Sequence, residues 1–139
     1  MTEPAPVLTV VGHVESPLTD PALAPKQGSE GAPDARLVFL PAFCDALADL
    51  RAGDEVLVLT WLHRADRAAL RVHPRDDPSR PPLGVFSTRS ADRPNPIGLH
   101  RVRIVAVEDA LRLRVRPLEA VHGTPVVDVK PVLRADGEG

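Results

Sequence analysis

The segment 87–98, "STRSADRPNPIG", gathers Ser87, Thr88, Arg89, Ser90, Asp92, Arg93 and Asn95 within nine residues. A plain connection needs far fewer hydrogen-bonding groups, so the density points to a binding surface. Pro94 and Pro96 fix their own φ and donate no backbone hydrogen. Arg93 and Asn95 each precede a proline, which pushes both to extended geometry. Residues 93–96 are therefore a stiff extended strip, barred from the middle of a sheet, with carbonyls left as acceptors. Little entropy is left for such a strip to lose when a ligand arrives. Gly98 lets a ligand or another stretch of backbone come close. The competing reading is a proline-braced turn whose arginines are merely solvated.

Other chemistry-bearing residues are scattered. Cys44 is the only cysteine, which excludes an intrachain disulfide and a cysteine-based zinc cluster. It follows Phe43 in an apolar segment and reads as core. His13, His73, His100 and His122 lack the spacing of metal ligands, and no metal is expected. Asp128 and Lys130 lie two residues apart on one strand face and suit an ion pair. His63 ends an apolar run, where a structural role is the ordinary one. Arg101, Arg103, Arg112, Arg114 and Arg116 alternate with apolar residues; they read as the solvated face of a sheet or as a basic strip for RNA phosphate.

The elements that must hold these residues are short strands. Segments 7–14, 36–40, 55–63, 68–73, 83–88, 99–108, 111–119 and 124–133 are apolar or alternating and read as strands, 55–63 as one covered on both faces. Segment 41–52 reads as the one short helix, with Pro41 in its first turn, Phe43, Ala46, Leu47 and Leu50 on one face, and Gly53 as its stop. Residues 15–35, with four prolines, form a long loop, and the tail 134–139 is expected to fray. The fold class is mainly β, a small antiparallel β-barrel or sandwich with one short helix, in a single domain over 1–139. Strands do not alternate with helices and no G-x-G-x-x-G follows a strand, which excludes a Rossmann fold.

Composition narrows the function. The formal net charge is −2, so no global field draws a polyanion. Trp61, three Phe and no Tyr leave few platforms for stacking bases. There is no membrane-spanning run and no signal pattern, and a cytoplasmic protein is expected.

Two long motifs then carry a resemblance. "GVFSTRSADRPNPIGL" (84–99) is similar to the G-V-F-A-T-R-S-P-x-R-P-N-P-I-G signature of the TsaA-like, or TrmO-type, methyltransferases. "HGTPVVDVKP" (122–131) resembles the family's D-G-T-P-[VI]-[LV]-D-[IV]-K-P, and "PKQG" (25–28) and "TWLHRADR" (60–67) echo weaker segments in the same order. The resemblance implies a β-barrel methyltransferase that uses S-adenosylmethionine, acts as a homodimer, and methylates N6 of threonylcarbamoyl-adenosine beside a tRNA anticodon. It implies a cofactor site at Arg89, Ser90, Arg93, Asn95, Pro96, Ile97 and Gly98, with Arg89 suited to a carboxylate or phosphate. It implies substrate contacts at Lys26, Gln27, Arg64 and Thr124, and a catalytic group of Asp128, Lys130 and His63, with Asp128 helping the N6 proton leave.

The chain departs from the pattern at Ala91-Asp92, where the family commonly has Pro-Phe, and at Val132, where it often has Tyr. A small-molecule methyl acceptor therefore stays open beside tRNA, as does a non-catalytic cofactor- or RNA-binding barrel. No further C-terminal domain is expected.

Overall fold

A computed structural model of the protein describes residues 3–133; the expected frayed tail lies outside them. Six antiparallel strands close into a barrel, in the order β1 (Gly12–Glu15), β2 (Ala35–Phe39), β7 (Arg112–Arg116), β6 (Ile97–Asp109), β3 (Glu55–Trp61) and β8 (Pro125–Pro131), which pairs back to β1. A two-stranded hairpin of β4 (Arg71–Val72) and β5 (Leu83–Gly84) stands apart from it. The period-2 pattern explains the wall: one side of each strand faces the core and the other faces out. Val14, Leu37, Val58, Ile104, Leu113, Val115 and Val126 are fully buried inside.

Several elements differ from the sequence reading. Segment 55–63 is covered on one face only: Val56, Val58 and Thr60 are buried, while Leu57 and Leu59 are half-buried on the outer side. A barrel wall has a single enclosed face, so even a nearly continuous apolar strand must alternate. Of segment 7–14 only the last residues pair; Val7, Leu8 and Val10 are exposed.

The helix is a 3₁₀ helix, Pro41–Leu47. It lacks a side-chain N-cap and closes i→i+3 bonds such as Ala48 N to Asp45 O, 3.3 Å. Leu47 and Leu50 still pack on the core, and Gly53 ends the connection at φ 96°. Segment 83–88 pairs only as β5 before a 3₁₀ turn, Val85–Ser87.

The register places the ends Glu15, Ala35, Trp61, Ile97, Arg116 and Pro125 at one rim. The connections 16–34, 62–96 and 117–124 therefore meet there. Residues 97–102 of β6 pair with β3 alone and leave their other edge to those connections. Among the described residues, no helix is long and apolar enough to cross a membrane. Nor does any group of three or more His, Cys, Asp or Glu among them stand together as a metal site.

Candidate functional site

The three connections enclose a cleft of about 600 Å³ at this rim. Its wall combines the segment 87–93 with residues 24–27, 62–65, 72–76 and 119–121 and the start of β6. Much of the polarity of 87–96 satisfies itself. Thr88 Oγ1 donates to the Val85 carbonyl at 3.0 Å and accepts from Ser90 N at 3.2 Å, and Ser90 Oγ accepts from Asp92 N at 3.2 Å. These hydroxyl-capped turns fix the loop from within. The Arg93 guanidinium donates to the carbonyls of Val85 and Thr88 and so ties both ends of the turn together.

The carbonyls of Pro94, Asn95 and Pro96 are not free, which corrects the sequence reading. Pro94 O accepts from Arg67 Nε at 2.8 Å, Asn95 O from Ile97 N at 2.7 Å, and Pro96 O from Leu62 N at 2.8 Å. Segment 62–67 supplies donors that the prolines cannot. Arg67 also stacks on the Trp61 ring at 5.0 Å and reaches Asn95 Oδ1 at 3.3 Å. Asp92 Oδ1 accepts from Asp66 N at 2.8 Å, so this departure from the family pattern serves as a loop tie.

Of the residues singled out from the sequence, Arg89, Ser90, Arg93, Ile97, Gly98, Lys26, Gln27, His63, Arg64 and Thr124 all line the cleft. Lys26 pairs with Asp76, Arg64 donates to Thr19 O at 3.2 Å, and buried Thr124 donates to Val121 O at 2.7 Å. Asn95 and Pro96 do not line it: Asn95 is exposed and Pro96 is buried. The structure does not bring Asp128 and Lys130 to the cleft; they pair at 3.6 Å on the exposed side of β8.

A buried set was missed. His100 donates through Nδ1 to Glu119 Oε1 at 2.5 Å, and its Nε2 meets Thr60 Oγ1 at 2.7 Å. His100 and Thr60 are buried, and Glu119 is largely so. Sequence separations of 19 and 40 residues hide the group. The available signal was parity: in "GLHRVRI" His100 shares the inward face with Val102 and Ile104, and a polar residue there demands a partner. Gly98 takes its meaning from the same contact. A Cβ at position 98 would overlap the Thr60 hydroxyl and stand 2.6 Å from His100 Nε2.

The arginine strip is largely neutralised. Arg101 and Arg103 share Glu55 at 2.9 and 3.9 Å, Arg112 meets Asp109 at 3.8 Å, and Arg116 binds Asp34 at 2.5 Å. Across the wall Arg36 binds Glu108 at 2.6 Å. Hydrogen bonds from Arg116 and Arg36 hold the carboxyls of Asp34 and Glu108 below their ordinary range and raise both guanidinium pKa values. At the cleft the pattern reverses: among the described residues Arg64, Arg80, Arg89 and Arg93 have no carboxylate partner. This concentrates uncompensated positive charge at the rim.

Residues 13–136 match the model of the tRNA-methyltransferase O N-terminal domain. The chain belongs to the TrmO family. A probable S-adenosyl-L-methionine-binding protein of Methanothermobacter thermautotrophicus is 42% identical over 121 residues, covering 87% of this chain and 85% of that protein. An S-adenosyl-L-methionine-binding protein of Archaeoglobus fulgidus is 39% identical, with 89% and 87% covered. The crystal structure of TrmO from Pseudomonas aeruginosa superposes with a TM-score of 0.74 at 29% identity, over 99% of this chain and 62% of that one. This chain thus spans less than two thirds of that TrmO, and both motifs of the sequence reading fall inside the matched region.

Proposed function

We propose that the protein binds S-adenosylmethionine in the rim cleft and methylates N6 of threonylcarbamoyl-adenosine in tRNA. The observation that carries this reading is the set of arginines without carboxylate partners around an otherwise mixed apolar and polar cleft. The residues fit the cofactor chemically. Arg89 is exposed and unpaired among the described residues, as a fork for the amino-acid carboxylate requires. Leu62, Ala120 and Val121 offer an apolar wall for an adenine. The volume lies within the range of small-molecule sites, roughly 300–1,000 Å³. When bound, S-adenosylmethionine supplies an electrophilic methyl group on a cationic sulfur. The protein's own task is positioning: the Arg93 clasp and the Arg67–Trp61 stack hold the proline strip so that donor and acceptor meet in line. Arg64, Arg80 and Arg89 suit RNA phosphate at the rim, and a tRNA substrate implies a cytoplasmic enzyme.

A homodimer belongs to the same proposal. Phe86 is 89% exposed and Leu70 68% exposed, with Leu83 nearby in the hairpin, an apolar set that a second copy would cover. Light scattering checks this: the native chain is expected as a dimer, and Phe86→Asp as a monomer. Asp128 and Lys130 remain candidates only if the second copy brings them to a cleft.

One observation favours a small-molecule acceptor instead: no Phe, Tyr or Trp lines the cleft among the described residues. Nucleoside mass spectrometry of tRNA from cells lacking the protein decides between the two. Loss of methylated threonylcarbamoyl-adenosine supports the tRNA reading, and an unaltered pool excludes it. Calorimetry tests the shared premise: Arg89→Ala is expected to weaken S-adenosylmethionine binding about tenfold, in line with loss of a charge-assisted hydrogen bond.

A further inference from the structure

We propose that Glu119 is the proton-accepting carboxylate of the methyl transfer, with His100 and Thr60 as its positioning residues. This rests on the methyl-transfer reading and deepens it. A nitrogen acceptor bearing hydrogen must lose a proton as it is methylated, and a carboxylate placed at the cleft wall meets that need. Three acidic side chains reach the wall: Asp76, Asp92 and Glu119. Asp76 is 75% exposed at the mouth and paired with Lys26. Asp92 is engaged by Asp66 N. Glu119 has 16% side-chain exposure, and of the three it alone is backed by a buried histidine.

The backing defines which oxygen works. His100 Nδ1 engages Oε1 at 2.5 Å, while Oε2 has no hydrogen-bond partner among the described residues. Thr60 Oγ1, at 2.7 Å from Nε2, fixes the ring from its other side. The neighbouring glycines keep the set clear. A Cβ at Gly28 would stand 3.0 Å from Oε2, and one at Gly98 would displace the Thr60–His100 contact. Gly28 closes "PKQG" and lies against the carboxylate, while Gly98 closes "RPNPIG" and lies against the Thr60–His100 pair behind it. Asp128, on the exposed side of β8 with Lys130 at 3.6 Å, has no such setting within the chain.

The step balances. The acceptor nitrogen's lone pair forms the N–C bond, the S–C pair stays on sulfur, and the N–H proton moves to Glu119 Oε2. His100 and Thr60 change no bonds.

The test uses the full chain, S-adenosylmethionine and tRNA carrying threonylcarbamoyl-adenosine. Glu119→Gln is expected to lower kcat about 100-fold or more, the scale of a lost general base. The KM for tRNA and the calorimetric affinity for S-adenosylmethionine stay within about threefold, which also shows that the variant folds. Thr60→Val is expected to lower kcat about tenfold with KM unchanged, and Thr60→Ser to restore it. Near-native kcat in Glu119→Gln, or a loss confined to KM or affinity, overturns the proposal. So does an effect of that size in Asp128→Asn with Glu119→Gln active. If the wild type binds S-adenosylmethionine and methylates no acceptor, the methyl-transfer reading itself falls and takes this role with it.

Discussion

At Gly98 the β6 backbone passes directly under two buried side chains, so the position is fixed by what surrounds it. Gly98↔Thr60 is a cross-strand pair of β6 and β3, and the Thr60–His100 contact crosses the space a Cβ would fill. Gly98→Ala must push apart two strands or break that contact. Overpacking of this kind costs about 1–3 kcal/mol, and urea unfolding of Gly98→Ala against wild type measures it. Arg93 argues similarly. Its guanidinium meets the Val85 and Thr88 carbonyls, so Arg93→Ala is expected to loosen the turn as well as the cleft wall. The sequence showed that these residues matter together, through their density and the paired prolines. It did not show which hydrogen bonds they make, because Asp66, Arg67 and Leu62 reach them across 26, 27 and 34 residues of sequence. His100 was legible only as an inward position lacking a named partner.

Among elements, the cleft mouth is bridged by two loops that share no sheet. Glu30 and Lys26 in the long connection 16–34 pair with Arg75 and Asp76 in the β4–β5 hairpin, Arg75–Glu30 at 2.5 Å. Arg75 and Asp76 are both left-handed, at φ 53° and 58°, which is costly for residues with a Cβ. The two ion pairs offset that cost and are exposed, so salt should weaken them. Hydrogen exchange in residues 71–82 is expected to quicken several-fold between low salt and about 0.5 M salt. Asp76→Asn, which tolerates the same φ, is expected to show the fast exchange already at low salt. No change in either condition removes the bridge as a constraint on the mouth. The strands themselves were readable from alternation, but their lengths were not. Val7, Leu8 and Val10 carry strand-forming side chains with no facing strand, and segment 41–52 met its helical spacing yet tightened to 3₁₀.

At the scale of the whole molecule, the order β1-β2-β7-β6-β3-β8 joins strands far apart in sequence, and no single-chain pattern encodes it. What the sequence does carry is the charge alternation that locks the outside of the wall, between neighbouring strands and across β7. Arg116–Asp34 ties the end of β7 to the start of β2, and Arg36–Glu108 joins β2 to the end of β6. Both carboxyls are held below their ordinary values of 3.8 and 4.5, first through the hydrogen bond from their arginine. Their folded-state pKa values thus lie below the unfolded ones, and the stabilisation is full at pH above those ordinary values. It is lost as pH falls through the depressed folded values, where both states take up the proton. Asp34→Asn removes one such term. Its melting temperature is expected to lie below wild type at pH 6, with the gap shrinking as pH drops below 3.8 and closing at the acid end. Because these pairs are partly exposed, the gap is modest and narrows in salt. A gap that persists unchanged at the acid end would mean that Asp34 stabilises the barrel by something other than its charge.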